Sequence, residues 1–401
     1  MKTNLILKSA QLLVVINMLG IFFVGCSGPG VQTIPCDDIT SETIWTNRND
    51  GVDYELNCVV TVNSKLTIEP GVVIRCKSNS GIVIENGGSI VAEGTAVDMI
   101  EFVGESDVAG YWKGIFIKSN NPLNSLSHCV VKNGGSSSFD GLNIKSNIRL
   151  KGNGKLKLKN STIAKSDKVG LYIEGLDLDS DNPLAEFLNN TFTDNGDYPI
   201  STTAPAINSL DGTNSNYTGN TKNKINIRSG KLFGNNVWKK MNIPYLIEGI
   251  VLVGHYSDNA NLTIEPGCTI QFAGDAGLTT GEYSTGSWLK IVGTASERIT
   301  LTGETQAPGA WKGVAFQSTS PNNEIAYADI SYGGSSSYTG ASSKKANIHV
   351  GAWSEGALTI SEASVSNSNA YGIYISNPAT LVVPPSVTFS NNALGDVYDE
   401  P

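Results

Sequence analysis

The chain has 401 residues, 40% of them apolar, 16% charged and 43 of them glycine, with a formal net charge of −9. An acidic balance with no Lys/Arg cluster argues against nucleic acid as a partner. Few charges and abundant Asn, Ser, Thr and Gly argue against amphipathic helices and suit many short strands joined by turns.

The first 25 residues read as a leader. Lys2 and Lys8 make a basic start, and Leu12 to Val24 is an apolar stretch too short to span a bilayer comfortably. It runs into Phe23-Val24-Gly25-Cys26, which resembles a bacterial lipobox with Phe in place of the more usual Leu. That resemblance implies lipidation at Cys26 (palmitate among the acyl groups) and a folded domain tethered to the membrane without spanning it. Ser27, rather than an acidic residue, follows the cysteine and implies sorting to the outer membrane of the bacterial envelope. Without the leader, 26 basic residues face 37 acidic ones. Five cysteines then remain beyond Cys26, namely Cys36, Cys58, Cys76, Cys129 and Cys268. An odd number leaves at least one thiol free or paired between molecules. Cys36–Cys58 suits a staple in the cap, with other pairings open; Cys268 reads as a buried small hydrophobe.

Residues 26–53 read as a linker and N-terminal cap. Alternation starts at Tyr54, with Leu56, Cys58, Val60 and Val62 on the inward side. The hexapeptide Leu66-Thr67-Ile68-Glu69-Pro70-Gly71 follows, and it returns unchanged as Leu262-Thr263-Ile264-Glu265-Pro266-Gly267. Leu66 and Ile68 share one face, while Pro70-Gly71 ends the strand and turns a corner. Further matches keep their order. Trp112-Lys113-Gly114 pairs with Trp311-Lys312-Gly313, Gly134–Ser138 with Gly333–Ser337, and Gly170-Leu171-Tyr172-Ile173 with Gly372-Ile373-Tyr374-Ile375. The pattern divides the chain into a first copy over 54–200, a connector or intervening coil over 201–244, and a second copy with its C-terminal cap over 245–401.

Within the first copy, Gly114-Ile115-Phe116-Ile117, Gly141-Leu142-Asn143-Ile144 and Gly170-Leu171-Tyr172-Ile173 start 27 and 29 residues apart. A coil of that length, with two or three strands and a turn at each corner, is what a parallel β-helix requires. Asn-Gly pairs such as Asn86-Gly87 and Asn195-Gly196 would also suit the hairpins of a β-sandwich, but the ordered coil-length repeat favours the solenoid. The run LTIEPG, GT, WKGI and GG resembles bacterial surface proteins with right-handed parallel β-helices, in the broad pectate-lyase-like group. The resemblance covers roughly residues 50 to 395. It implies an all-β, right-handed parallel β-helix built from two tandem copies. It implies little about activity, because that architecture hosts lyases, hydrolases, esterases, adhesins and binding modules.

Catalysis finds no support in the motifs. The clustered aspartate and Gly-His-Gly signatures of the related hydrolases are missing, and the arginines after the leader are scattered. His128, His255 and His349 lie far apart and read as structural or solvated. A polysaccharide lyase or hydrolase with a non-standard site is the alternative reading. The favoured one is a non-catalytic protein that binds a glycan or other surface ligand along the solenoid flank, or serves as an adhesive or structural module. On that reading the middle residues of the Gly-apolar-x-apolar strands point outwards, so Phe116, Asn143 and Tyr172 form one exposed column, continued by Ala315 and Tyr374. Trp112 and Trp311 recur at the same place and read as framework. Tyr283 and Trp288 flank a turn about three residues longer than its counterpart near Asn86, which makes them ligand candidates. Asp177, Asp179 and Asp181 alternate as in Ca²⁺ loops, although Asn182 and Leu188 stand where such a loop wants Gly and Glu. A solvated acidic turn is the plainer reading.

Overall fold

The computed structural model describes residues 30–49, 51–175, 182–254, 259–281, 286–338, 344–351, 355–379 and 381–401. These residues form a parallel β-helix solenoid. Each paired strand is parallel to its neighbours, and successive strands of the chain fall in different sheets. Sheet I has thirteen strands and runs from Val59–Val62 to Thr388–Ser390. In the first half it is joined by sheet II, seven strands from Gln32–Thr33 to Thr191–Thr193, and sheet III, six strands from Thr43–Trp45 to Leu184–Leu188. In the second half sheet IV has seven strands, from Gly230–Leu232 to Gly395–Asp399, and sheet V has five, from Gly234–Trp238 to Thr359–Ser361.

Alternation explains the core. Leu66 and Ile68, and likewise Leu262 and Ile264, are buried, while Thr67 and Thr263 face outwards. Each such aliphatic side chain contributes about 1.5–3 kcal/mol by leaving water. Gly71 and Gly267 have φ of 81° and 77°, which turns the chain out of the strand. The run from Tyr54 to Val62, read as one strand, is two: Tyr54–Leu56 lies in sheet II and Val59–Val62 in sheet I. The corner between them holds Cys58, whose disulfide to Cys36 ties the first coil to the cap. Cys76, Cys129 and Cys268 are free and buried, and burial pushes the Cys268 thiol up to about 12.

The repeated motifs fall on different sides of the solenoid. The strand after the first hexapeptide, Val73–Cys76, belongs to sheet II; the strand after the second, Thr269–Phe272, belongs to sheet I. Gly114–Ile117 lies in sheet I and its counterpart Gly313–Phe316 in sheet IV. The frame changes between them. Residues 201–244 hold a 3₁₀ helix, Ala204–Ser209, which packs against the last strand of sheet III and the first strands of sheets IV and V. The short strands Ile225–Ile227, Gly230–Leu232 and Gly234–Trp238 carry the solenoid past it.

Trp112 and Trp311 are buried at matching corners. Their indole Nε1 atoms donate to the carbonyls of Lys132 at 2.7 Å and Ser331 at 2.8 Å. A buried amide ladder links three further coils at another corner: Asn147 Nδ2 donates to Asn195 Oδ1 at 3.3 Å, and Asn195 Nδ2 to Asn220 Oδ1 at 2.8 Å. Both devices pair polar groups that would otherwise be stranded in the core.

Candidate functional site

The outward column of sheet I differs from the one expected. Phe116 aligns with Arg149, and Arg149 with Tyr172. Asn143 is not in the column at all, because the strand is Ser146–Leu150 and its outward residue is Arg149. The Gly-apolar-x-apolar template missed it, since the stretch starting at Gly141 belongs to a strap crossing the sheet rather than to a strand. Leu142 in that stretch is 64% exposed and Gly141 has φ of 77°.

The strap leaves sheet II after Lys132, at Gly134, and enters sheet I near Lys145. It lays Phe139 against Phe116, ring centres 5.5 Å apart, so Phe116 is buried rather than exposed. Gly81 makes room beneath: a Cβ there would sit 2.8 Å from the Phe139 ring. Arg149 closes the arrangement. Its guanidinium carbon is 4.3 Å from the centre of the Phe116 ring, and its Nη1 and Nη2 donate to Asp140 at 2.8 and 2.7 Å. Nε donates to Glu174 at 2.6 Å. The bidentate guanidinium holds the Asp140 carboxyl well below the usual carboxylate range. The repeated Gly-Gly-Ser-Ser-Ser is thus the start of a cover for the sheet, a role its recurrence alone did not reveal.

The second half builds a similar cover with other chemistry. Tyr338 takes the place of Phe139, donating through its hydroxyl to the carbonyls of Gly313 at 2.7 Å and Leu278 at 3.3 Å. His349 takes the place of Arg149, buried and edge-on to Tyr338 at 5.4 Å. Burial lowers its pKa to about 4, and its Nε2 accepts from the Ala346 amide at 3.2 Å. Tyr374 follows in register. It is only 4% exposed, because Tyr371 and Tyr398 pack on it at 5.9 and 5.1 Å and the Lys344–Glu400 pair lies alongside. It also lies in sheet IV, so it does not continue the column of Tyr172. Ala315, in the same sheet, is fully buried.

Of the outward-column candidates, Tyr172 is the one that stays accessible. It borders a cleft of about 420 Å³ on the outer face of sheet I, with Asn143, Ile144, Lys145, Lys168, Val169 and Asp197 around it. One side of its ring is covered by the Arg228 guanidinium at 4.2 Å, which donates to Ser201 Oγ at 2.9 Å and to the Ile173 carbonyl. Lys145 pairs with Asp167 at 2.9 Å and Asp197 with Lys222 at 3.0 Å, while Lys168 has no ion pair among the described residues. Tyr198 lies beside the cleft, its hydroxyl 3.3 Å from Glu248, and burial and that carboxylate raise its pKa to about 12. The arrangement offers an aromatic ring, an amide and charges of both signs in a space sized for a small ligand. Val169 holds the position that Tyr371 holds in the second half, so a residue that fills space around Tyr374 is small beside Tyr172.

Trp288 lies on the outer face of sheet V, in register with Asn261, and is partly exposed. Tyr283, the acidic run of Asp177, Asp179 and Asp181, Cys26 and His255 lie outside the described residues. Among the described residues no three His, Cys, Asp or Glu side chains converge to hold a metal ion. His128 is partly buried, with Nδ1 3.2 Å from Ser127 Oγ. Comparison with protein-family models, curated proteins and solved structures gives no match.

Proposed function

We propose that this is a non-catalytic envelope protein, held to the outer membrane by a lipid on Cys26, that binds a glycan in the cleft beside Tyr172. The observation that carries the reading is the cleft itself: a half-covered tyrosine ring with an amide, two lysines and a carboxylate around it. Sugars present an apolar ring face and a rim of hydroxyls, so they suit an aromatic surface bordered by amide and charged hydrogen-bonding groups. The contrast between halves adds support. Around Tyr374 the corresponding space is taken by Tyr371, Tyr398 and Lys344, whereas beside Tyr172 it is left open. The lipid anchor rests on the apolar leader and the Phe23–Cys26 motif.

A glycan-array screen of the chain, followed by titration of any hit, tests this. Tyr172→Ala should weaken binding about tenfold, the loss of one good stacking contact. Wild-type affinity in Tyr172→Ala would sink the cleft as the site. Release of new reducing ends or unsaturated sugars from a bound polysaccharide would replace the binding reading with the enzymatic one.

A further inference from the structure

We infer that the outer face of sheet V carries a second sugar-stacking platform, formed by Trp288, Asn261 and Asn235, which takes a neutral polysaccharide and lets one molecule bridge two glycan strands. The inference rests on the glycan reading of the Tyr172 cleft for its bridging part only; the platform stands on its own residues. Asn235 lies opposite Asn261, and Asn261 opposite Trp288, on three consecutive strands. Strands in a sheet are about 4.8 Å apart, so the column extends about 10 Å across the sheet. Asn261 Nδ2 donates to Asn235 Oδ1 at 2.6 Å, which orients both amides. Asn235 Nδ2 and Asn261 Oδ1, one donor and one acceptor, have no side-chain partner among the described residues and remain for hydroxyls beside the indole. An indole face with an amide donor and acceptor beside it is the chemistry that recognises a pyranose ring and its hydroxyl rim.

The neighbouring column decides between a sugar and a protein partner. It reads Val237, Thr263, Lys290, Glu324 and Thr359, with one apolar residue among five. A dry protein interface wants an apolar core, and this face has none. Lys290 and Glu324 lie 3.7 Å apart and offset each other, and Lys290 is also 5.6 Å from the centre of the Trp288 ring. A balanced flank gives no advantage to a charged polymer, which is why the occupant is assigned as neutral. Nor does the framework need the ring. Ser89 holds the matching place in the first half, opposite Lys65, and is buried there. The chain passes from sheet I through sheet IV to sheet V and back in the coils between Ile225 and Ser361, so the platform and the Tyr172 cleft are on different sides of the solenoid. A single straight glycan strand cannot lie on both.

Affinity gel electrophoresis tests this with the full chain, expressed with its leader and extracted in detergent, in gels containing laminarin, arabinoxylan or galactomannan. Trp288→Ala should weaken retardation about five- to tenfold, and Trp288→Phe should recover most of it, because the phenyl ring keeps a stacking face. Wild-type protein should make the retarding polysaccharide turbid, whereas Trp288→Ala and Tyr172→Ala should each bind without turbidity. Retardation and turbidity unchanged in Trp288→Ala would overturn the platform while leaving the cleft intact. Loss of all retardation in Trp288→Ala, with Tyr172→Ala like wild type, would keep the platform and remove the cleft and the bridging. A wild-type chain that none of the three polysaccharides retards overturns the platform, whereas binding on the glycan array would still uphold the cleft.

Discussion

Arg149 and Asp140 meet through two parallel hydrogen bonds of 2.8 and 2.7 Å, one partner on a strand of sheet I and the other on the strap that crosses it. Arg149 is almost fully buried, and Glu174 is its second carboxylate. The pair therefore fastens a cover whose underside is the Phe116–Phe139 contact.

Replacing Asp140 with Asn should loosen that cover. The variant keeps the shape but loses a charge-assisted bidentate contact, which costs about 1.5–3 kcal/mol. Urea unfolding should show the loss, and proteolysis should reach the strap near Lys145 sooner than in wild type. Unchanged unfolding and cleavage would mean that Glu174 alone holds Arg149 in place.

His349 should make stability depend on pH. Its folded pKa of about 4 is below its ordinary value, so the unfolded chain binds the proton more readily. The stability it contributes is complete above about pH 6.5, falls as pH drops towards 4, and levels off below that. The expected loss is on the order of 3 kcal/mol. His349→Gln retains an acceptor for the Ala346 amide and should flatten the slope of urea midpoints between those two pH values. A slope that survives the substitution would assign it to other groups.

The two tyrosines should separate function from packing. Tyr374→Ala removes a ring buried among Tyr371, Tyr398 and Lys344 and should cost about 3–5 kcal/mol of stability, as large core truncations do. Tyr172→Ala, at a half-open ring, should cost less stability and more glycan affinity. Thermal melts alongside binding titrations check both, and a reversed order would mean that the open cleft is on the other half.

Leu66→Ala should destabilise the chain by about 2–5 kcal/mol and Thr67→Ala by much less, because Leu66 faces the core and Thr67 faces out. Neither should change glycan affinity. A binding defect in Thr67→Ala would show that the repeated hexapeptide is more than framework.

The period-two alternation of residues such as Leu66 and Ile68 and the coil-length spacing of Gly114 and Gly170 determined the solenoid from the sequence alone, because a parallel coil imposes both on any chain that fills it. The same regularity made Trp112 and Trp311 legible as corner residues, and a leader-like first 25 residues made the Cys36–Cys58 staple an expectation. Tertiary structure alone decided which outward residues meet solvent. Alternation says that Phe116 and Tyr374 point away from the core, but not that Phe139 or Tyr398, distant in the chain, return to cover them. It also could not show that matching motifs sit on different sheets, since a 3₁₀ helix at Ala204–Ser209 alters the path of the coil without disturbing the periodicity on either side. Nor could it show the alignment of Trp288 with Asn261 and Asn235, because register between coils depends on the lengths of the turns between strands, and those turns carry no periodic signal.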